Sequence, residues 1–313
     1  MDLSIIIVNW NTRDLLKACL RSVYAETRGL TFEVFVVDNA STDGSPEMVR
    51  TEFPQVRLIQ NNVNVGFAKA NNQAIALSKG RYILLLNPDT LLRDNAFSRM
   101  VHFLRSHPDI GALGCKILTS EGKIDLRGAK GFPSLLGEFF ELTRLSYRFP
   151  RSKFFGNYLM TYWDHEDSRE VDVLSGACLM IRREALEQVG LFDERFFLYG
   201  AEVDWYYRLK RMGWKVFYYS EAEIIHIGSQ STQQLGEKMG LERFRSRYRL
   251  FCKHKGKGYA RAYKALLCLV TVIKVLGFWI GFLGSTSSEK KRWYRRKIRL
   301  HRRVLWWILG GDL

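Results

Sequence analysis

A chain of 313 residues that is 47% hydrophobic can bury one large core with an appendage, or two modest domains. Its formal net charge of +16 is uneven: between residues 243 and 303, nineteen Lys and Arg stand against one acid, Glu289, and the remainder is near −2. That asymmetry argues against a uniformly basic nucleic-acid-binding domain and favours a near-neutral catalytic body with a cationic anchor.

The sequence enters directly into a predicted strand at residues 4–8, with no basic leader, so no cleavable signal is expected. A helix follows at 15–24, a strand at 33–37, and a short helix at 45–51 opened by Asp43-Gly44. Then come a strand at 56–59, a helix at 67–77, a strand at 81–86 and a helix at 95–106. This alternation predicts a parallel sheet with helices on both faces. Residues 111–165 are less regular, rich in Gly, Phe and Tyr, and read as loops over the sheet that shape an acceptor groove. Order returns with a strand in 171–182, a helix at 183–189, an aromatic-rich turn at 190–200 and a helix at 201–212, followed by strands at 215–219 and 223–227. Cys19, Cys115, Cys178, Cys252 and Cys268 are odd in number and scattered, which suits a reducing compartment.

Beyond residue 229 the composition shifts. Residues 241–254 read as a basic amphipathic helix, 265–284 are apolar apart from Thr271 and Lys274, and 290–309 are basic with Trp293, Tyr294, Trp306 and Trp307 interleaved. The apolar stretch is long enough to span a bilayer. Both its flanks are cationic, and Lys274 lies at its centre. A re-entrant hairpin or a helix lying in the interface satisfies these constraints better than a span. The expected division is therefore a catalytic domain over 1–230, with a nucleotide-binding half at 1–110 and an acceptor half at 111–230, and a membrane-associating tail over 231–313.

Two apolar runs end in acids. Val34-Phe35-Val36-Val37 runs into Asp38, and Tyr82-Ile83-Leu84-Leu85-Leu86 runs into Asn87-Pro88-Asp89. Open α/β sheets bind ligands at the carboxyl ends of their strands. A nucleoside-diphosphate donor needs partners for its base and ribose, and a hard cation for its diphosphate. Asp38 suits the nucleoside, Asn9, Trp10 and Asn11 could flank the base, and Asp89 suits the metal. Asp43, before Gly44, reads as a cap. Glu202 and Asp204 open a helix, where acids are ordinary dipole partners; beside such a site, one could take a proton from an attacking hydroxyl. His226 could be structural, a metal ligand or a phosphate contact, and Lys69 could face the nucleotide or water.

Taken in order, several motifs resemble family 2 glycosyltransferases of the GT-A fold, nearest the bacterial rhamnosyltransferase-like branch. They are Ser4-Ile5-Ile6-Ile7-Val8-Asn9-Trp10-Asn11, the run from Val36 to Asp43, Asn62-Val63-Asn64-Val65-Gly66-Phe67-Ala68, Leu86-Asn87-Pro88-Asp89-Thr90, Ser175-Gly176-Ala177-Cys178 with Arg182-Arg183, and Phe192-Asp193-Glu194-Arg195-Phe196-Phe197. The resemblance covers about residues 3–230. It implies a GT-A, Rossmann-like, mixed and mainly parallel sheet, and inverting transfer from a dTDP- or UDP-sugar with Mg²⁺ or Mn²⁺. Carried over residue by residue, it makes Asp38 the nucleoside-binding acid. Asn87 and Asp89 become the outer positions of an Asp-x-Asp motif, Glu202 the base, and His226 a residue near metal or phosphates. Asn87 replaces an acid, so this motif offers the metal one carboxylate. Ala201 stands where the family commonly has the first acid of a pair, which leaves Asp204 as the alternative base to Glu202. Arg182, Arg183 and residues 163–165 are candidates for the acceptor site.

The reading is a glycosyltransferase on the cytoplasmic face of a bacterial membrane. It would use a nucleotide sugar and a lipid-linked or glycan acceptor, with the tail on anionic lipid and no nucleic acid bound; its oligomeric state is left open. A sugar nucleotidyltransferase would instead carry a Gly-rich, basic phosphate loop near its start, which Val8-Asn9-Trp10-Asn11 is not. A nucleic-acid-binding protein is the third reading, prompted by the basic, aromatic tail.

Overall fold

The computed structural model describes residues 1–228 and 237–310. Along β1 (Leu3–Asn9), Leu3, Ile5 and Ile7 enter one core layer and Ile6 the other, all fully buried. A strand covered on both faces reads as an unbroken apolar run, the mark of a central parallel strand. β2 (Phe32–Asn39) and β4 (Tyr82–Leu86) flank β1 in parallel, and β3 (Arg57–Asn61) extends β2 in parallel. Helices α1 (Arg13–Glu26), α2 (Ser45–Glu52) and α4 (Ala96–Ser106) supply the first layer through Leu16, Leu20, Met48, Phe97 and Met100. Helices α3 (Phe67–Leu77), α8 (Arg183–Val189) and α9 (Ala201–Arg211) supply the second through Ala70, Ala74, Leu186, Trp205 and Leu209.

With β5 (Thr90–Leu92), β6 (Ile110–Leu118), β10 (Cys178–Arg182) and β11 (Lys215–His226), the full sheet has nine strands in the order β3-β2-β1-β4-β10-β6-β11-β5, and β8 (Arg169–Glu170) pairs with β11. β10 (Cys178–Arg182) runs antiparallel to both β4 and β6, and β5 (Thr90–Leu92) antiparallel to β11 (Lys215–His226). The sheet is therefore mixed and mainly parallel, as expected.

Three local expectations are corrected. The region read as loops contains β6 (Ile110–Leu118), a nine-residue strand at the heart of the sheet. Gly111 and Gly114 hide it, because glycine weakens a strand pattern. Both are there for packing: a Cβ at Gly114 would lie 2.6 Å from Leu174 Cδ2, and one at Gly111 2.9 Å from Leu209 Cδ1. β7 (Ala129–Lys130) and β9 (Val173–Leu174) form a second small sheet, and α5 (Leu135–Leu142), α6 (Leu145–Arg148) and α7 (Lys153–Gly156) fill the rest of this region. The two final strands are one, β11, whose register shifts between Tyr219 and Glu223. The turn after Asp89 passes at once into β5.

The expected boundary at residue 230 lies outside the described residues. Beyond it, α10 (Glu237–Lys255) packs on the catalytic body. Arg247 Nε lies 2.8 Å from Glu138 Oε1, Arg243 pairs with Glu141, and Lys253 Nζ lies 2.7 Å from Asp204 Oδ1. α11 (Lys257–Gly284) and α12 (Ser288–Ile308) then form an antiparallel hairpin. Near its tip Phe278 meets Trp293 and Tyr294, and near its base Lys264 Nζ sits 4.7 Å from the Trp307 ring centre.

Candidate active site

Strand register brings the first candidates together. Asn9, the last residue of β1, pairs with Asp38 on β2, while Ile7 pairs with Leu86, the last residue of β4. Asp38 and Asn87 thus leave the same edge of the sheet, one on each side of β1 and about 10 Å apart by strand spacing. Asp38 is fully buried. Asn9 Nδ2 donates to its Oδ1 at 2.9 Å, and the Ser41 amide donates to its Oδ2 at 2.9 Å. Thr12 Oγ1 donates to Asn9 Oδ1 at 2.7 Å, which fixes the orientation of the Asn9 amide.

The turn beyond β1 is locked to the turn beyond β2. The Asn11 amide donates to Ser41 Oγ at 2.9 Å, and the Thr42 amide to Asn11 Oδ1 at 2.7 Å. Asn11 and Ala40 both have positive φ, 51° and 61°. Asn tolerates that region, whereas for Ala it costs about 1–2 kcal/mol, so the surrounding bonds must over-determine the turn. Asp43 caps as expected: it accepts from the amides of Arg13 at 2.8 Å and Ser45 at 3.0 Å. Trp10 is half-buried at the same edge and Lys69 is exposed on α3.

The second cluster forms where β5 crosses to β11. Thr90 pairs with His226, which places His226 Nε2 3.2 Å from Asp89 Oδ1 and 3.3 Å from Asn87 Nδ2. The Asp89 carbonyl also accepts from the Ile227 amide at 2.9 Å. Asp89 is buried. One imidazole nitrogen cannot donate to the carboxylate and accept from the amide at once. The Asp89 carboxylate and the His226 imidazole are donor types that Mg²⁺ or Mn²⁺ accepts, but among the described residues no third Asp, Glu, His or Cys joins them, and Asn87 turns its Nδ2 to the imidazole.

Glu202 and Asp204 share the first turn of α9 but not their surroundings. Asp204 is fully buried and has charged partners on several sides. Arg208 Nε donates to its Oδ2 at 3.0 Å, and His254 Nε2 and Lys253 Nζ each lie 2.7 Å from its Oδ1. Burial opposes its ionisation, yet the hydrogen bonds from His254 and Lys253 and the Arg208 charge prevail, holding the carboxyl below the usual aspartate range. Glu202 Oε2, by contrast, is shut off from solvent without a hydrogen-bond partner. Burial pushes its carboxyl up, against a weaker pull from its own backbone amide and from the Arg247 and Lys130 charges. The Tyr206 hydroxyl, one helical turn on, is likewise buried and unpartnered.

Two backbone bonds join these parts. The Asn87 amide donates to the Ala177 carbonyl at 3.0 Å, and the Phe67 amide, opening α3, donates to the Phe197 carbonyl at 2.6 Å, just before α9. Gly66 permits the latter: its φ is 84°, and a Cβ there would lie 2.3 Å from the Phe197 oxygen. The turn that leads into Glu202 is thereby fastened to the start of α3.

Of the acceptor-site candidates, Arg182, Trp163 and His165 are buried and Asp164 alone is exposed, while Arg183 is half-buried. Arg182 is buried and donates to the carbonyls of Ile110 at 3.0 Å and Leu104 at 2.6 Å. Arg183 donates to the Gly80 carbonyl at 2.6 Å. Both satisfy chain ends that lack strand or helix partners. Trp163 and His165 are buried and stacked, with ring centres 4.0 Å apart. Sequence reasoning missed Ser41, which ties three loop groups together, and assigned His254 and Lys253 to the tail rather than to Asp204. The spacing of Asp38 and Ser41 was a usable turn signal for the first; nothing local signals the second.

A mixed, mainly parallel sheet with polar and acidic strand ends gathered at one edge is the frame of a GT-A-type fold. A mannosyltransferase structure from Pyrobaculum calidifontis, in complex with GDP-mannose and Mn²⁺, superposes with a TM-score of 0.55 at 17% identity, covering 97% of this chain and 87% of that one. The family model for glycosyl transferase family 2 matches residues 4–190, and the chain belongs to that family. It is therefore a glycosyltransferase. It is 31% identical, over 74% of its length and 77% of the relative's, to an N-acetylglucosaminyl-diphospho-decaprenol L-rhamnosyltransferase of Mycobacterium tuberculosis. It also resembles, at 31% identity over 33% of its length and 41% of the relative's, a UDP-Glc:alpha-D-GlcNAc-diphosphoundecaprenol beta-1,3-glucosyltransferase of Escherichia coli.

Proposed function

We propose that this enzyme transfers a sugar from a nucleoside-diphosphate donor, with inversion, to a hydroxyl of a lipid-linked saccharide in bacterial cell-surface glycan synthesis. The relative from M. tuberculosis makes dTDP-rhamnose the first donor to test. The observation that carries the reading is the convergence of the Asn9–Asp38–Ser41 lock and the Asn87–Asp89–His226 cluster on one sheet edge.

In this reading the locked turns of Asn9–Asn11 and Asp38–Ser41 seat the nucleoside, with Trp10 against the base. Asp89 and His226 would hold Mg²⁺ or Mn²⁺, with Asn87 beside them, and such an ion neutralises charge on the leaving diphosphate when bound. Glu202 accepts the proton from the acceptor hydroxyl as that oxygen attacks the anomeric carbon from the face opposite the diphosphate. A carboxylate whose Oε2 is buried without a hydrogen-bond partner, and whose ionisation burial opposes, is a stronger base than a solvated one, which favours Glu202 over Asp204. Asp204 instead ties α9 to α10.

The α11–α12 hairpin supports attachment to the cytoplasmic membrane face. α11 is apolar and long enough to cross a bilayer, but α12 lies alongside it with nine Lys and Arg. Carrying those charges through hydrocarbon would be prohibitive, so the hairpin lies in the interface.

The test is a screen of dTDP- and UDP-sugars with the full chain and Mn²⁺ or Mg²⁺. dTDP-rhamnose turnover is expected, lost by at least about a hundredfold in Asp89→Ala and in Glu202→Gln. Near-normal transfer by the Asp89 variant would rule out that carboxylate as the metal ligand, and by the Glu202 variant would rule out that carboxylate as the base.

A further inference from the structure

The hairpin carries a groove that neither the family nor the catalytic reading explains. It lies between α11 and α12 and measures about 740 Å³, within the range of small-molecule sites. Its apolar wall includes Trp279 and Phe282 from α11 and Trp306 from α12; its cationic wall includes Arg295, Arg299 and Arg302. These three arginines recur at helical spacing on one face of α12, and the Arg295 guanidinium sits 5.2 Å from the centre of the Phe282 ring.

We propose that this groove binds a single anionic phospholipid of the bilayer, its phosphate on Arg299 and Arg302 and its first chain segments against Trp279, Phe282 and Trp306. The inference rests on the membrane-interface reading above. Charge and polarity choose the occupant. α12 holds nine Lys and Arg and one acid, Glu289, and that acid is in its first turn, so among the described residues no acid lines the groove. A soluble phosphate compound would match the arginines but not the aromatic wall. Outside the groove the apolar surface continues along α11: Ile273 is 60% exposed, Leu276 58%, Ile280 72% and Leu283 74%. These residues recur at helical spacing and form a stripe that would contact acyl chains. A lipid reaches the groove from the bilayer that covers this stripe.

The experiment is co-flotation of the full chain with zwitterionic vesicles and with vesicles containing one-third phosphatidylglycerol. Two double variants remove equal charge: Arg299→Gln/Arg302→Gln in the groove, and Arg292→Gln/Arg296→Gln, at exposed positions on the same helix that do not line it. Preference for the anionic vesicles is expected, weakened about thirtyfold by the groove pair and no more than about threefold by the control pair. Circular dichroism on both variants secures the fold. Native mass spectrometry from detergent should retain one phosphatidylglycerol on the wild-type chain and none on the groove pair. Equal losses in the two variants, meaning diffuse attraction only, would overturn the groove while leaving the membrane reading intact. So would equal partition onto both vesicles, or displacement by a soluble polyanion that leaves no lipid retained. Failure to float with either vesicle would defeat the membrane reading itself.

Discussion

Glu202 and Asp204, two residues apart, show how burial alone does not set the behaviour of a carboxyl group. Asp204 is buried among three cationic or imidazole partners, whereas Glu202 is half-buried with its Oε2 shut off and unpartnered, like the Tyr206 hydroxyl one turn on. The Glu202 carboxyl is raised above its ordinary 4.5 by burial, so the acid limb of the transfer rate should fall at a pH above the usual glutamate range. A pH–rate profile checks this. The same shift has a stability consequence. A raised folded-state value contributes stability below 4.5 that is lost as pH rises through that value. Glu202→Gln should therefore raise the melting temperature by about 2–4 °C near about pH 8, with the gain vanishing near about pH 4, while abolishing transfer. Asp204 has the opposite sign. Its lowered value contributes stability above 3.8 that disappears as pH falls through the folded value. Asp204→Asn should cost about 3 kcal/mol in urea denaturation at neutral pH, and less in acid. A Glu202→Gln protein that melts no higher than wild type would mean its carboxyl is not held ionised against burial.

At the scale of elements, β6 is where the chemistry of packing is easiest to test. Gly114 lies opposite Leu179 on β10 and Tyr218 on β11, and Leu174 fills the space above it. Gly114→Ala should destabilise the enzyme by about 1–3 kcal/mol, measured by denaturant unfolding, because Leu174 and the short β9 must shift. A Leu174→Ala partner change should recover part of the loss, since it removes the atoms that collide. The same strand explains what could be read in advance. β1, β2 and β4 were legible because both faces of each are buried, and a sequence written Ile5-Ile6-Ile7 or Leu84-Leu85-Leu86 has few other homes. Asp38, the penultimate residue of β2, and Asp89, just beyond β4, were legible for the same reason: a strand end fixes where the residues at its edge stand. β6 was not, because the demand for glycine comes from Leu174 and Leu209, some sixty and nearly a hundred residues away in the chain. The nearness of Asp89 and His226 was expected only through the family resemblance, which set both by the metal; spacing alone did not show it, because it depends on β5 crossing to β11, a choice made by tertiary pairing.

For the whole molecule, the question is where the catalytic body ends. Composition alone places the end near residue 230, where the basic and apolar tail begins. We propose from the packing of α10 that the catalytic body ends further on. Arg243 and Arg247 of α10 are paired with Glu141 and Glu138 of α5, and Arg247 also donates to the Tyr158 hydroxyl at 2.5 Å. Burial drives the Glu138 carboxyl up despite Arg247, so this group is sensitive to losing its partner. On α11, Tyr259 accepts from the Leu135 amide at 2.9 Å, and Tyr263 and Leu267 are buried against Phe251. A chain cut after residue 236 would leave Glu138 without Arg247, at a cost of about 3–5 kcal/mol, and would strip Asp204 of Lys253 and His254 while leaving it Arg208, a combined loss that is a large share of the stability of a typical domain. Truncation there should give protein that is insoluble or unfolded by circular dichroism. A chain cut after residue 270 keeps α10 and the first turns of α11, and removes α12 with the exposed stripe from Val272 to Leu283. It should stay folded without detergent, retain donor hydrolysis, and no longer float with anionic vesicles. If the shorter chain were the one that folded and hydrolysed donor, α10 would belong to the anchor after all, and the ion pairs joining it to α5 and α9 would be incidental to the catalytic fold.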